Sequence, residues 1–222
     1  MNYMTLEALG IPSNSFLGKL LLKIFSKTTK IAILGPQDSG KTELWCALQN
    51  KPRTSINTSN EPIERFCLGS KSDGTMVYVE KTQDIGGGDE YVSKYDTVVT
   101  EGTFVYFVLD ITKIGSAKYE EQLLAQFYKI HSNLEKIEKP KFLFGGALTM
   151  KPKEEMRLII LATHIDQYRG DKSQGVKVVR DCFAPLESYG IDRTTLNVKL
   201  VNLKNASDIK EIREEVLKSV DK

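Results

Sequence analysis

Residues 30–42 read Lys-Ile-Ala-Ile-Leu-Gly-Pro-Gln-Asp-Ser-Gly-Lys-Thr, an apolar run leading directly into the pattern G-x-x-x-x-G-K-T from Gly35 to Thr42. The spacing suits phosphate chemistry. Gly35 and Gly40 let the backbone curl so that successive N–H groups point inward at phosphate oxygens, with the positive end of the next helix behind them. Lys41 then reaches the β- and γ-phosphates of a nucleoside triphosphate, and Thr42 sets its hydroxyl on Mg²⁺. Such a loop works only between a strand and a helix, which the sequence predicts at Lys30–Leu34 and Lys41–Gln49.

Three further clusters lie at the ends of apolar runs. Asp84-Ile-Gly-Gly87 follows a predicted strand. An aspartate there could hold Mg²⁺ through water, and the Gly87 N–H could contact a γ-phosphate and so report its presence. Thr163-His164-Ile165-Asp166 ends the run Leu158–Ala162, where a carboxylate can accept from both N1–H and the exocyclic amine of guanine, a donor pair that adenine lacks. Asp and Thr after a strand also serve as helix caps, so the cluster alone leaves both readings open. Asn202-Leu203-Lys204 closes the last predicted strand, where a backbone N–H could meet the guanine carbonyl oxygen.

The elements that must position these clusters alternate along the chain. Thr103–Asp110 and Leu158–Thr163 are continuous apolar runs of strand length, which implies strands buried on both faces of a mostly parallel sheet. Ile63–Leu68 and Met76–Lys81 read as a hairpin across the turn from Gly69 to Gly74. Lys118–Lys136 is amphipathic at helical spacing, Gly175–Tyr189 and Asp208–Val220 are further helices, and Val198–Val201 is the last strand. Lys136–Lys153 reads as an irregular connection. The expected fold is an open α/β sheet with one antiparallel hairpin, helices on both faces and ligand loops at the carboxyl ends of the strands.

Composition excludes several classes. The 222 residues fit one domain, and 31 basic against 29 acidic side chains leave a net charge of +2, so no field advertises a nucleic-acid partner. Cys46, Cys67 and Cys182 lie far apart without metal-ligand spacing, which points away from zinc or a disulfide framework and toward a reducing compartment. With no membrane-length apolar run and no signal peptide, a cytoplasmic location is expected. In Ser15–Lys27, Phe16, Leu17, Leu20, Leu21 and Ile24 form an apolar face edged by Lys19, Lys23 and Lys27. That face suits reversible, peripheral binding to an anionic membrane surface, or packing on the domain or a partner.

Taken in order, GPQDSGKT, DIGG, THID and NLK resemble the nucleotide-binding motifs of the Ras superfamily of small GTPases, over roughly residues 30–220. DIGGGDE and the segment Phe16–Lys27 look most like the Arf branch, while THID, with His164 where lysine is usual, is similar to Roc domains. The resemblance implies a P-loop NTPase fold with a six-stranded sheet, an N-terminal helical extension over residues 1–29 and a G domain over 30–222. It also implies GTP or GDP and Mg²⁺ as ligands. Its phosphate cradle would comprise Gly35, Asp38, Ser39, Gly40, Lys41, Thr42 and Glu43, and its metal ligands Thr42, Asp84 and a switch threonine. Thr58 best fits that last role, with Thr54 and Ser59 as competitors. Gly87 would sense the γ-phosphate, and Thr163, His164, Asp166, Asn202, Leu203 and Lys204 would form the base pocket.

The resemblance places catalysis at Lys41 and at positions 37 and 88, and there the chain departs from the family. Gly88 stands where a glutamine usually orients the attacking water, and Gln37 occupies a loop position that is glycine or aspartate in relatives. Intrinsic GTP hydrolysis is therefore expected to be slow. The leading expectation is a GTP-dependent switch that engages protein effectors together with activating and exchange factors. The alternatives are a scaffold that holds nucleotide with little or no hydrolysis, and an ATP-using P-loop enzyme, against which THID argues.

Overall fold

A computed structural model describes residues 10–12, 15–18, 20, 26–52, 61–100, 103–138 and 158–220. Its main sheet has six strands: β1 (Ser26–Leu34), β3 (Phe66–Ser70), β4 (Met76–Val79), β6 (Thr103–Asp110), β7 (Leu158–Thr163) and β8 (Val198–Leu200), ordered β3-β4-β1-β6-β7-β8. Every pairing in it is parallel except β3 with β4. A short antiparallel pair, β2 (Glu61–Ile63) with β5 (Thr82–Asp84), continues the hairpin beyond a break at Glu64–Arg65. The single strand expected over Ile63–Leu68 is thus two strands on one bent ribbon.

The expected strand at Lys30–Leu34 begins four residues earlier. Ser26–Thr29 pair with Met76–Val79 of β4, and Lys30–Leu34 pair with Thr103–Phe107 of β6. The sheet therefore reaches into the segment assigned to the N-terminal extension, and Ser26 and Lys27 are strand, not the end of an amphipathic helix.

Alternation along the central strands builds two apolar layers. Ile31 and Ile33 of β1, with Phe104, Tyr106 and Val108 of β6, face helices α1 (Lys41–Gln49) and α5 (Ala206–Ser219). Ala32 and Leu34, with Val105, Phe107 and Leu109, face α3 (Ala117–Glu138) and α4 (Lys172–Cys182). All eight residues of β6 are buried, which explains why that strand reads as a continuous apolar run. The short helix α2 (Tyr95–Val98) lies under the second layer through Tyr95 and Val99.

Local chemistry sets the helix ends. Asp171 and Gln174 form a reciprocal capping box that starts α4 at Lys172, earlier than the apolar spacing suggests. Pro185 lies in the first turn of a 3₁₀ segment, Ala184–Tyr189, so the helix expected over Gly175–Tyr189 ends at Cys182. Arg213 of α5 donates to the carbonyls of Ala47 and Leu48, at 2.6 and 3.1 Å, and so satisfies the last turn of α1.

Candidate functional site

Parallel strands gather their carboxyl ends at one edge, and the chain leaves β1 toward β4 on one side and β6 on the other, which opens a crevice there. The loop 35–40 fills that position. Gly35 (φ 139°) and Gly40 (φ 96°) take left-handed backbone, as does Asp38 (φ 56°). A Cβ on Gly35 would sit 2.0 Å from the Val108 carbonyl oxygen, so the loop lies hard against β6 and tolerates no side chain there.

Lys41 begins α1 with its ammonium buried, donating to the Pro36 carbonyl at 2.7 Å. Burial lowers its pKa to about 8, partly opposed by the carboxylates of Asp84 and Asp38. Thr42 Oγ1 donates to Asp84 Oδ2 at 2.8 Å. Desolvation raises the Asp84 pKa to about 6, against the Thr42 hydrogen bond and the charge of Lys41. Asp84 Oδ1 and the Ser39 hydroxyl are buried without hydrogen-bond partners, and each such orphan costs about 1–3 kcal/mol. The loop and the end of β5 thus bring together a buried ammonium, a half-satisfied carboxylate and a buried hydroxyl without a partner.

This donor set fits a Mg²⁺–phosphate group. Mg²⁺ takes one or two protein oxygens and completes its shell with phosphate and water, so Thr42 and Asp84 suffice without a dedicated cage. Among the described residues no group of three or more His, Cys, Asp or Glu could hold a metal ion. Thr54, Thr58 and Ser59 lie outside the described residues.

Two other loops close on this one. Thr163, at the end of β7, donates through Oγ1 to Ser39 O at 2.9 Å and to Leu109 O at 3.0 Å. Leu203, after β8, packs so near Gly40 that a Cβ there would lie 2.9 Å from its Cδ1. Asp166 and Lys204 pair across these loops at 3.3 Å. Within the NLK triplet, the Asn202 N–H donates to Asp208 and the Lys204 N–H to the Asn202 side chain. The Leu203 N–H has no intramolecular acceptor among the described residues. His164 adopts a left-handed backbone (φ 59°), with Nδ1 2.8 Å from Thr163 Oγ1 and 3.5 Å from Asp110 Oδ1.

Gly87 crosses in front of the loop. A Cβ on it would meet Gln37 N at 2.3 Å and Pro36 C at 2.4 Å. Its carbonyl accepts from the buried Gln126 amide at 2.9 Å and from Gln122 at 3.3 Å, while Tyr95 OH donates to Gln126 Oε1 at 3.0 Å. Burial holds the Tyr95 hydroxyl well above the usual phenol pKa, with the Gly35 backbone acting in the opposite direction. Gly88 is extended, and a Cβ on it would meet the flexible Glu90 carboxylate at 2.3 Å. Gln37 is exposed, and Glu43 lies half-buried in the first turn of α1.

The structure thus brings together Gly35, Asp38, Ser39, Gly40, Lys41, Thr42, Asp84, Gly87, Thr163, His164, Asp166, Leu203 and Lys204. Sequence reasoning missed Asp110, Tyr95, Gln122 and Gln126. Asp110 stands in the sequence as the polar end of TFVYFVLD, whereas Gln122 and Gln126, four residues apart on an amphipathic helix, carry no signal of the carbonyl they meet. Compared with known proteins, the chain matches no family model and no curated sequence. Among the described residues, no helix is long and apolar enough to cross a membrane.

Proposed function

We propose that this chain is a guanine-nucleotide-binding protein of the small-GTPase type, a switch with slow GTP hydrolysis. The observation that carries the reading is the junction of three loops: Thr163 bonded to Ser39, Leu203 on Gly40 and the Asp166 carboxylate beside them. A phosphate loop alone is common to ATP and GTP proteins. A carboxylate and a free backbone N–H on the adjoining loops supply, together, acceptors for the two guanine N–H groups and a donor for its carbonyl.

In this reading the backbone from Asp38 to Glu43 and the Lys41 ammonium bind phosphate, which supplies the negative charge that Lys41 lacks a full partner for. Thr42 and Asp84, with a threonine such as Thr58, hold Mg²⁺, which neutralises charge developing on the phosphoryl oxygens. Asp166 must leave Lys204 in part to read the base. Gly88 offers no side chain to orient water, so hydrolysis rests on positioning by the backbone and on partners. Effectors and activating and exchange factors would read the segments around Thr58 and Gly87, and the segment ahead of β1, with Phe16, Leu17 and Leu20, would give reversible membrane contact. Phe16, Leu17 and Leu20 are exposed at 85, 51 and 43 %, which leaves their apolar surface available for that contact.

A nucleotide-holding scaffold is the second reading, favoured by Gly88 and by the double tie of the Gly87 carbonyl to Gln126 and Gln122. The first test is to denature the purified protein and identify released nucleotide, then titrate GTP and ATP analogues. Guanine nucleotide released, and a strong preference for GTP, is expected; equal binding of ATP would defeat the assignment. Lys41→Ala should abolish binding, and multiple-turnover assays with candidate partners separate switch from scaffold.

A further inference from the structure

Two amides of α3 fix the direction of a single peptide. The Gly87 carbonyl accepts from Gln126 Nε2 at 2.9 Å and from Gln122 Nε2 at 3.3 Å, and Gln122 also donates to Asp89 Oδ1 at 3.0 Å. Gln126 is fully buried, and its own oxygen is anchored by the Tyr95 hydroxyl. Among the described residues no peptide bond is cis, so the Gly88 N–H, which belongs to the same peptide as the Gly87 carbonyl, points the opposite way, away from α3.

That N–H has no acceptor. Among the described residues neither the Gly87 nor the Gly88 N–H has a hydrogen-bond partner, although Gly87 is buried and Gly88 half-buried. Backbone donors in such places are nearly always paired, so these two call for an acceptor from outside the chain. The neighbourhood says which kind. A Cβ on Gly87 would lie 2.3 Å from Gln37 N and 2.4 Å from Pro36 C, so the peptide begins against the phosphate-type loop. The buried Lys41 ammonium donates to the carbonyl of that same Pro36. Unpaired N–H groups beside a buried ammonium favour an anionic oxygen.

We infer that Gln126 and Gln122 are positioning residues that aim the Gly88 N–H at the terminal phosphoryl oxygen of a bound triphosphate, so that position 88 acts through its backbone. This rests on the nucleotide reading above. A main-chain donor fixed by two amides needs no side chain, and no rotamer is lost when it binds.

The test compares Gly88→Pro with Gly88→Ala in the full chain. Both add a Cβ that displaces the flexible Glu90 carboxylate, and only proline removes the N–H. Gly88 has φ −74°, within the range that proline fixes, and Gly87 has no Cβ to meet the proline ring. Titration with a non-hydrolysable GTP analogue and with GDP gives each variant a preference for triphosphate over diphosphate. That preference should be roughly tenfold lower in Gly88→Pro than in Gly88→Ala. Combined with Gln126→Leu, or with the milder Gln122→Ala, the difference between the two variants should shrink to about threefold or less. Equal preferences in Gly88→Pro and Gly88→Ala overturn the donor, and a difference that neither amide variant reduces overturns the positioning role. In ¹⁵N-glycine spectra of the wild type, assigned with Gly88→Ala, the Gly88 amide proton should move downfield when the analogue replaces GDP; an unmoved resonance also overturns the inference. Absence of binding of either nucleotide by the wild type overturns the nucleotide reading and this donor with it.

Discussion

At the scale of one residue, the proposed metal role of Asp84 sets stability against ligand binding. Its pKa is raised from 3.8 to about 6, so the folded chain binds the proton more tightly than the unfolded chain does. Between those values stability falls as pH rises, and above about 6 the full cost of the buried carboxylate is present. Asp84→Asn should therefore stabilise the nucleotide-free protein at neutral pH, by about 1–3 kcal/mol. It should also flatten the loss of stability between pH 4 and 6, while weakening Mg²⁺-dependent triphosphate binding. Denaturant melts across pH, with and without Mg²⁺ and GTP, check all three; an unchanged pH slope would mean that Asp84 titrates as in the unfolded chain. Gly88 belongs to the same scale. Gly88→Gln requires only that the Glu90 carboxylate swing aside, and single-turnover GTP hydrolysis should then rise at least roughly tenfold, the size of a positioning effect. A fast wild-type rate would show that another group already orients the water.

At the scale of elements, the link between β5, α2 and α3 is a buried polar relay. Gln126 spans from the Tyr95 hydroxyl to the Gly87 carbonyl, and Gln126→Leu would leave the Tyr95 hydroxyl without its acceptor, at about 1–3 kcal/mol, and the Gly87 carbonyl with only the longer bond from Gln122. A Tyr95→Phe, Gln126→Leu double-mutant cycle should return a coupling of at least about 0.5 kcal/mol. Hydrogen exchange should also quicken at amides 85–90 in the Gln126→Leu variant; additive losses and unchanged exchange would reduce the relay to ordinary packing. This relay marks the limit of what was legible in the sequence. Gly35–Thr42 was readable because its glycines and lysine are each demanded by local geometry, and β6 because burial on both faces removes every polar residue from its interior. Gln126 was not readable, since an amide four residues from another on an amphipathic helix looks solvated until a carbonyl from position 87 arrives 39 residues away. The start of β1 was hidden for a related reason: Ser26–Thr29 are polar or charged, and the pairing with β4 makes them a strand. Asp110 is ambiguous in sequence, because a carboxylate at a strand end also caps a turn, as it does here by accepting from the Thr112 N–H.

On the scale of the whole molecule, one sheet separates two apolar layers, and β6 contributes to both. Phe107 of β6 packs edge-on to Phe127 of α3, with centroids 5.2 Å apart, and Phe127 meets Phe183 at 4.6 Å. On the opposite face Trp45 of α1 stands edge-on to Phe66 of β3 at 6.4 Å, and its indole nitrogen is buried without a partner. Phe127→Ala should cost about 3–5 kcal/mol, whereas Trp45→Phe, which removes a buried orphan donor along with some contact area, should cost clearly less than about 3 kcal/mol. Because the central strand is shared, neither layer can open without disturbing the other, so both variants should still melt in one cooperative transition by fluorescence and by circular dichroism. The loops of the site hang from the carboxyl ends of β1, β7 and β8, and their mutual contacts through Ser39, Thr163, Gly40 and Leu203 depend on that sheet staying whole. Phe127→Ala lies on the layer beneath Gly87 and next to Gln126, so it should weaken GTP binding more than an equally destabilising change on the α1–α5 face. Matched denaturation and nucleotide titrations on both variants measure this, and equal losses of affinity at equal losses of stability would show that the two layers support the site alike.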